Sequence, residues 1–181
     1  MNKLIILAII IVGVAVSFLV LRNGSPETVE TADGELRVGT RIGNLAPDFE
    51  LSDYDGRTVA LSDFRGQKPA FVNFWASWCP FCVEEMPLMA DIQERHGKQY
   101  VTVAVNRGES LEAAKEFSDK IGVTGRMILL LDRQDSVYGR FNGFGMPYSV
   151  FIDKDGVIRD IKIGPLTEEE LEGKLSKLTN D

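Results

Sequence analysis

The sequence predicts an α/β domain: a three-layer α/β/α sandwich on a mixed central sheet, with an extra β-hairpin on its N-terminal side. Three observations carry this expectation. Between residues 70 and 131 short apolar runs of strand type alternate with stretches of helical period, the order that builds a sheet covered on both faces. A late pair of strand-like runs closes around Asp155–Gly156, which makes that sheet mixed rather than wholly parallel. The chain has 181 residues, 44% hydrophobic and 26% charged, enough for one ordinary globular domain with a short appendage.

The appendage comes first. Leu4 to Leu21 (LIILAIIIVGVAVSFLVL) carries no charge and one hydroxyl; as a helix it spans roughly 27 Å, close to the hydrocarbon core of a bilayer. Lys3 precedes it, and Glu27, Glu30, Asp33 and Glu35 follow. The basic flank favours a cytoplasmic N-terminus, so residues 1–21 read as a single-pass signal anchor with the remainder exported. Cleavage after Ala15–Val16–Ser17 is the competing reading, but it would leave Phe18–Leu21 as an exposed apolar start, and the run is longer than that of a usual signal peptide. No cysteine stands at its end to carry a lipid. Residues 22–40 are polar, aperiodic and dotted with Gly and Pro, the composition of a linker.

The domain is expected over residues 41–181. Phe49–Leu51 and Thr58–Leu61 flank Asp53–Tyr54–Asp55–Gly56, a hairpin signal. Ala70–Trp75 (AFVNFW) reads as a strand, and Cys79 to His96 as a helix with Val83, Met86, Met89, Ala90 and Gln93 at near-helical spacing. Val101–Val105 is a strand, Ser110 to Ile121 a helix, Ile128–Leu131 a strand and Ser136–Phe141 a short helix. Tyr148–Ile152 and Val157–Ile163 form the second hairpin. A last helix over Thr167–Leu178 starts on a capping box, with Thr167 as N-cap and Glu170 three residues on. Asp53–Gly56 and Asp153–Gly156 look superficially like calcium loops, but neither has the downstream bidentate glutamate, so both read as turns.

Net charge −7 argues against nucleic-acid binding, since nothing would neutralise a row of phosphates. The only two cysteines, Cys79 and Cys82, stand three positions apart. A disulfide-stapled scaffold spreads more cysteines along the chain, and so short a loop barely constrains an unfolded one. Their use is therefore chemical. A CxxC that leads from a strand into a helix puts the first sulfur among free N–H groups and at the positive end of the helix dipole, which favours the thiolate. Cys82, one turn on, can resolve a mixed disulfide and is expected to be the more shielded sulfur. Pro80 suits a first turn because it has no N–H to leave unpaired. Rival uses are weaker: zinc needs four ligands where the chain offers two cysteines and His96, and a copper-carrying CxxC would find no further histidine. His96 reads as a solvated helix-end residue.

The stretches FVNFWASWCPFC and GMPYSVFID, with a proline five residues after the second cysteine (Pro87), resemble the thioredoxin superfamily, specifically its ResA/TlpA-like branch of anchored extracytoplasmic proteins. The likeness covers about residues 41–178. It implies a thioredoxin-like fold and tolerance of Pro87 as a kink inside the helix. It also implies a cis Pro147 beside the CxxC, with the backbone of Met146 free to pair with a substrate strand. VAVNRGES resembles the segment in which a glutamate, here Glu109, approaches the cysteines. Many thioredoxins carry a buried aspartate where this chain has Asn73, which cannot titrate, so Glu109 is the candidate acid/base. Trp78, Pro80 and Phe81 flank the sulfur and are candidate substrate contacts. The implied activity is disulfide reduction by Cys79 attack and Cys82 resolution, with no cofactor or metal. The implied partners are an apocytochrome c CXXCH or a copper-site protein as substrate, and an integral-membrane thiol donor. A copper metallochaperone and a thiol peroxidase are the alternatives. The APDFEL segment also occurs in peroxiredoxins, but those have a threonine or serine at the position of Ala76.

Overall fold

The computed structural model describes residues 36–179. The apolar run Leu4–Leu21, with the anchor and orientation read from it, lies outside the described residues. Among the described residues no helix is long and apolar enough to cross a membrane. Residues 36–40, read as the end of the linker, run against the domain: the Leu45 N–H donates to the Arg37 carbonyl at 2.9 Å, the Gly39 N–H donates to the Leu45 carbonyl at 2.9 Å, and Leu45 in turn bridges to Val157.

Strands β1 (Glu50–Asp53) and β2 (Thr58–Ala60) form the expected hairpin, followed by a 3-10 turn over Leu61–Phe64. Then come β3 (Ala70–Trp75), α1 (Pro80–His96), β4 (Val101–Arg107), α2 (Leu111–Lys120), β5 (Ile128–Asp132) and α3 (Ser136–Arg140). Strands β6 (Tyr148–Ile152) and β7 (Ile158–Ile163) and helix α4 (Glu168–Thr179) close the chain. Seven strands make one sheet in the order β2-β1-β5-β4-β3-β6-β7. The β3–β4 and β4–β5 pairs are parallel, whereas β1–β5, β3–β6 and β6–β7 are antiparallel, so the sheet is mixed as the late hairpin predicts.

Every residue of β3 is buried because it is central and covered on both sides. Phe71 and Trp75 join α1, α2 and α4 in one apolar cluster, while Ala70, Val72 and Phe74 face α3 and the Ala46–Leu61 segment in another. That alternation is the period-2 signature of a strand between two layers. Both connections, β3-α1-β4 and β4-α2-β5, step the same way across the sheet, and right-handed crossovers then put both helices on one face.

Local chemistry fixes the element ends. Both Asp-Gly turns are built alike: Asp53 Oδ1 accepts from the N–H of Asp55 and Arg57, and Asp153 Oδ1 from those of Asp155 and Val157. Gly56 and Gly156 supply the positive φ at the turn. The capping box closes as expected, with the Glu170 N–H on Thr167 Oγ1 at 3.2 Å and the Thr167 N–H on Glu170 Oε2 at 3.1 Å. Pro87 lies within α1. One face differs from expectation. The buried residues of α1 are Cys82, Glu85, Met86, Met89, Ala90 and Ile92, so Glu85 turns inward and Val83 is only half-buried.

Candidate active site

Strand β3 ends at Trp75, and after four intervening residues the chain enters α1 at Pro80. Cys79 is therefore the N-cap rather than the first helical residue, with extended backbone at φ −92° and ψ 106°. The N–H of Cys82 donates to Cys79 Sγ at 3.3 Å. That donor and the helix dipole are what would stabilise a thiolate there. The two sulfurs are joined in a disulfide, with their Cα atoms 5.3 Å apart. In this oxidised state both cysteines are buried, at 3% and 1% exposure, so the expected contrast in shielding is slight. The ring on either side is not buried: Trp78 is 63% and Phe81 54% exposed, and Pro80 also faces solvent.

The β3–β6 register pairs Phe74 with Tyr148, which sets the residues before Tyr148 beside those after Phe74. The Met146–Pro147 bond is cis. Met146 packs against the cluster that contains both cysteines. Among the described residues its N–H and carbonyl take no hydrogen-bond partner. The geometry thus brings Cys79, Cys82, Trp78, Phe81, Met146 and Pro147 to one end of the sheet.

Glu109 reaches the same end from the loop after β4. One carboxylate oxygen accepts from Ser77 Oγ at 2.5 Å; the other accepts from the Ser77 N–H at 2.8 Å and Asn106 Nδ2 at 2.6 Å. It holds the segment two residues before Cys79 and is not hydrogen-bonded to either cysteine.

A second carboxylate was not singled out by sequence reasoning. Glu85, one helical turn after Cys82, is 3% exposed. Its Oε1 accepts from Asn73 Nδ2 at 3.1 Å and its Oε2 from the Leu166 N–H at 3.2 Å. Asn73 also donates to Ser149 Oγ at 3.0 Å. Burial pushes the Glu85 carboxyl up to about 7, against the lowering effects of the Leu166 N–H and of Lys162. The signal for it was its spacing, since i+3 from a buried cysteine lies on the buried face.

Residues 42–161 match the AhpC/TSA family. The chain belongs to the AhpC/TSA family. It is 36% identical over 161 residues to the thiol-disulfide oxidoreductase ResA of Geobacillus kaustophilus, covering 88% of this chain and 91% of that one. Among solved structures, MTB dsbF in mixed oxidized and reduced forms superposes with a TM-score of 0.67 at 29% identity, over 72% of this chain and 95% of that one. The exposed lipoprotein thioredoxin Etrx1 of Streptococcus pneumoniae gives a TM-score of 0.63 at 30% identity, over 73% and 100%. This AhpC/TSA chain is accordingly a thiol–disulfide oxidoreductase of thioredoxin-like fold and ResA-like type.

Within the AhpC/TSA frame the remaining candidates fall away from the sulfurs. His96 ends α1 at the far pole of the sheet, half exposed and 3.9 Å from Glu172. Among the described residues no three of His, Cys, Asp and Glu gather as a metal-ligand set. Ala76, with no hydroxyl, stands three residues before Cys79.

Proposed function

We propose that the protein is an extracytoplasmic disulfide reductase, tethered by its N-terminal apolar segment, that acts on a cysteine pair of a partner protein. The observation that carries this reading is the Cys79–Cys82 disulfide seated on the first turn of α1, between exposed aromatics and beside the Met146–Pro147 loop. In the reduced protein the Cys79 thiolate attacks one sulfur of the partner's disulfide, and the partner's other sulfur leaves as a thiolate. Cys82 then attacks Cys79 Sγ, which releases the partner's second thiolate and forms the Cys79–Cys82 bond. Two electrons pass from the pair to the partner. An integral-membrane thiol donor returns them.

Cys82 must lose its proton inside the protein. We assign the handling of that proton to Glu85, a buried carboxyl one turn away with a pKa close to neutral pH. Glu109 takes a positioning role, fixing Ser77 and so the approach to Cys79. Met146 offers its unpaired backbone to an extended substrate segment. The ResA-like sequence supports two substrate candidates, the haem-binding CXXCH of an apocytochrome c and the cysteines of a copper site under assembly. The similarity to an exposed lipoprotein thioredoxin supports action outside the cytoplasm.

The test is trapping in the native organism. Cys82→Ser leaves Cys79 unable to resolve, so partners should accumulate as mixed disulfides on Cys79, with a CXXCH or copper-site protein among them. Absence of any mixed disulfide, or catalytic consumption of hydrogen peroxide by the unaltered protein, would sink the reading.

A further inference from the structure

Arg107, the last residue of β4, is not spent on solvent. Its guanidinium forms a two-point bridge to Asp135, Nε on Oδ1 at 2.8 Å and Nη2 on Oδ2 at 2.6 Å. Its side chain is 16% exposed. The guanidinium carbon lies 3.4 Å from the centre of the Tyr138 ring, and Nη1 approaches the Met146 sulfur at 2.8 Å. Tyr138 is in turn bound to the loop before Pro147. Its hydroxyl donates to the Gly145 carbonyl at 2.9 Å, and its backbone carbonyl accepts from the Gly143 N–H at 3.1 Å. A Cβ on Gly143 would come within 2.2 Å of the Tyr138 ring, so the loop lies directly against it. Gly145 is pressed on Ile163 from the other strand, where a Cβ would meet Cγ2 at 2.8 Å. Residues 143–146 are thus gripped at each position but one. The exception is Phe144, 76% exposed and more so than the other large apolar side chains of the described residues.

A free loop could fold such a phenylalanine under itself. This one cannot, because the backbone on both sides is tied down. The loop is also continuous with the exchange site. Met146 packs on the cysteine cluster, and Phe144 stands two residues before it, within about 7 Å, the most that two residues of chain can span. A partner segment bonded to Cys79 and lying along Met146 therefore brings a residue within about three positions of its cysteine onto Phe144. Arg107 has its charge satisfied by Asp135, so it adds no free cation to that footprint.

We propose that residues 143–146 form a preset docking ledge on which Phe144 receives an apolar side chain lying within three positions of the partner's cysteine, and that Arg107 is the positioning residue holding the ledge. The proposal rests on the disulfide-exchange reading above and adds to it the substrate's side-chain preference.

The test uses the full chain, reduced and mixed with three disulfides, its oxidation followed by tryptophan fluorescence. Two are disulfide-bridged peptides that differ only in Leu or Asp two positions before the cysteine; the third is 5,5′-dithiobis(2-nitrobenzoate), which needs no docking. The unaltered protein should react with the Leu peptide about tenfold better, through a lower half-saturating concentration at a similar limiting rate. Phe144→Ser should abolish that preference and leave the small disulfide unaffected. Arg107→Leu should raise the half-saturating concentration for the Leu peptide, and Arg107→Lys should recover part of it. The surface variant Phe144→Ser keeps the test decisive if Arg107→Leu does not fold. A preference that survives Phe144→Ser, or a small-disulfide rate that falls in step with the peptide rate, overturns the ledge. Failure of the unaltered protein to react with any of the three overturns the exchange reading itself.

Discussion

Glu85 is a carboxyl that burial shifts toward neutral pH, one helical turn from Cys82. A carboxylate as buried as that of Glu85 would be costly to ionise, and only two donors, Asn73 Nδ2 and the Leu166 N–H, offset that cost. With its folded pKa moved from 4.5 to about 7, the native state binds a proton that the unfolded chain has released between those values. Stability from the protonated form is therefore present below about pH 4.5 and is lost as pH rises through about 7. Glu85→Gln should remove this dependence, so that the stability difference between the two proteins changes by up to about 3 kcal/mol from pH 5 to pH 8. Denaturant unfolding at several pH values checks it, and parallel curves for both proteins would contradict the shift. The cysteine pair itself was legible in the sequence because CxxC at a strand-to-helix junction is local. Glu85 was legible only through its i+3 spacing from Cys82, because its partners lie 12 and 81 positions away and a glutamate in a helix ordinarily faces water. Phe144 was silent for a similar reason: in Phe141–Met146 (FNGFGM) nothing local says whether the ring folds inward.

Among the elements, those with ends specified by neighbouring residues agree with the sequence reading to within a residue or two. Thr167 with Glu170, Ser110 on the Ala113 N–H, and Pro80 after Cys79 all act within one turn. The strands were legible from β-branched and aromatic runs such as Ala70–Trp75. Helix α3 also falls where the sequence reading puts it, but what starts it was not legible there. It has only five residues and is started by Asp132, four positions upstream at the end of β5. Asp132 is buried and accepts from the N–H groups of Ser136 at 3.0 Å and Val137 at 2.7 Å. A helix this short has little stability of its own. Asp132→Ala should lower unfolding free energy by about 2 kcal/mol, near the top of the range for a lost cap. Urea denaturation measures this, and an unchanged midpoint would mean that packing of Val137 and Tyr138 holds α3 without the cap.

At the scale of the whole molecule, the mixed sheet and its two covered faces followed from element order, but the placement of β1 beside β5 did not, since an N-terminal hairpin can pair at either edge. The pole-to-pole layout follows from strand direction. Strand β3 runs toward Cys79 and starts at Ala70, which pairs with Ile152 near the β6–β7 turn. Leu45 and Val38 bridge at that same starting pole, and α4 ends there, where Thr179 lines a cavity with His96 and Tyr100. Six residues of strand, about 20 Å, separate this pole from the disulfide. Both ends of the described domain thus leave from the side remote from Cys79. A bead, a fluorescent carrier or a lipid surface joined at either end would present the sulfurs outward, like a brush held by its handle. Immobilising the protein through its N-terminus or its C-terminus should leave the rate of disulfide exchange within about twofold of the free protein, as the tether lies beyond the reach of screened charges from the reacting groups; a much larger loss from either attachment would show that the handle and the bristles are not at opposite ends.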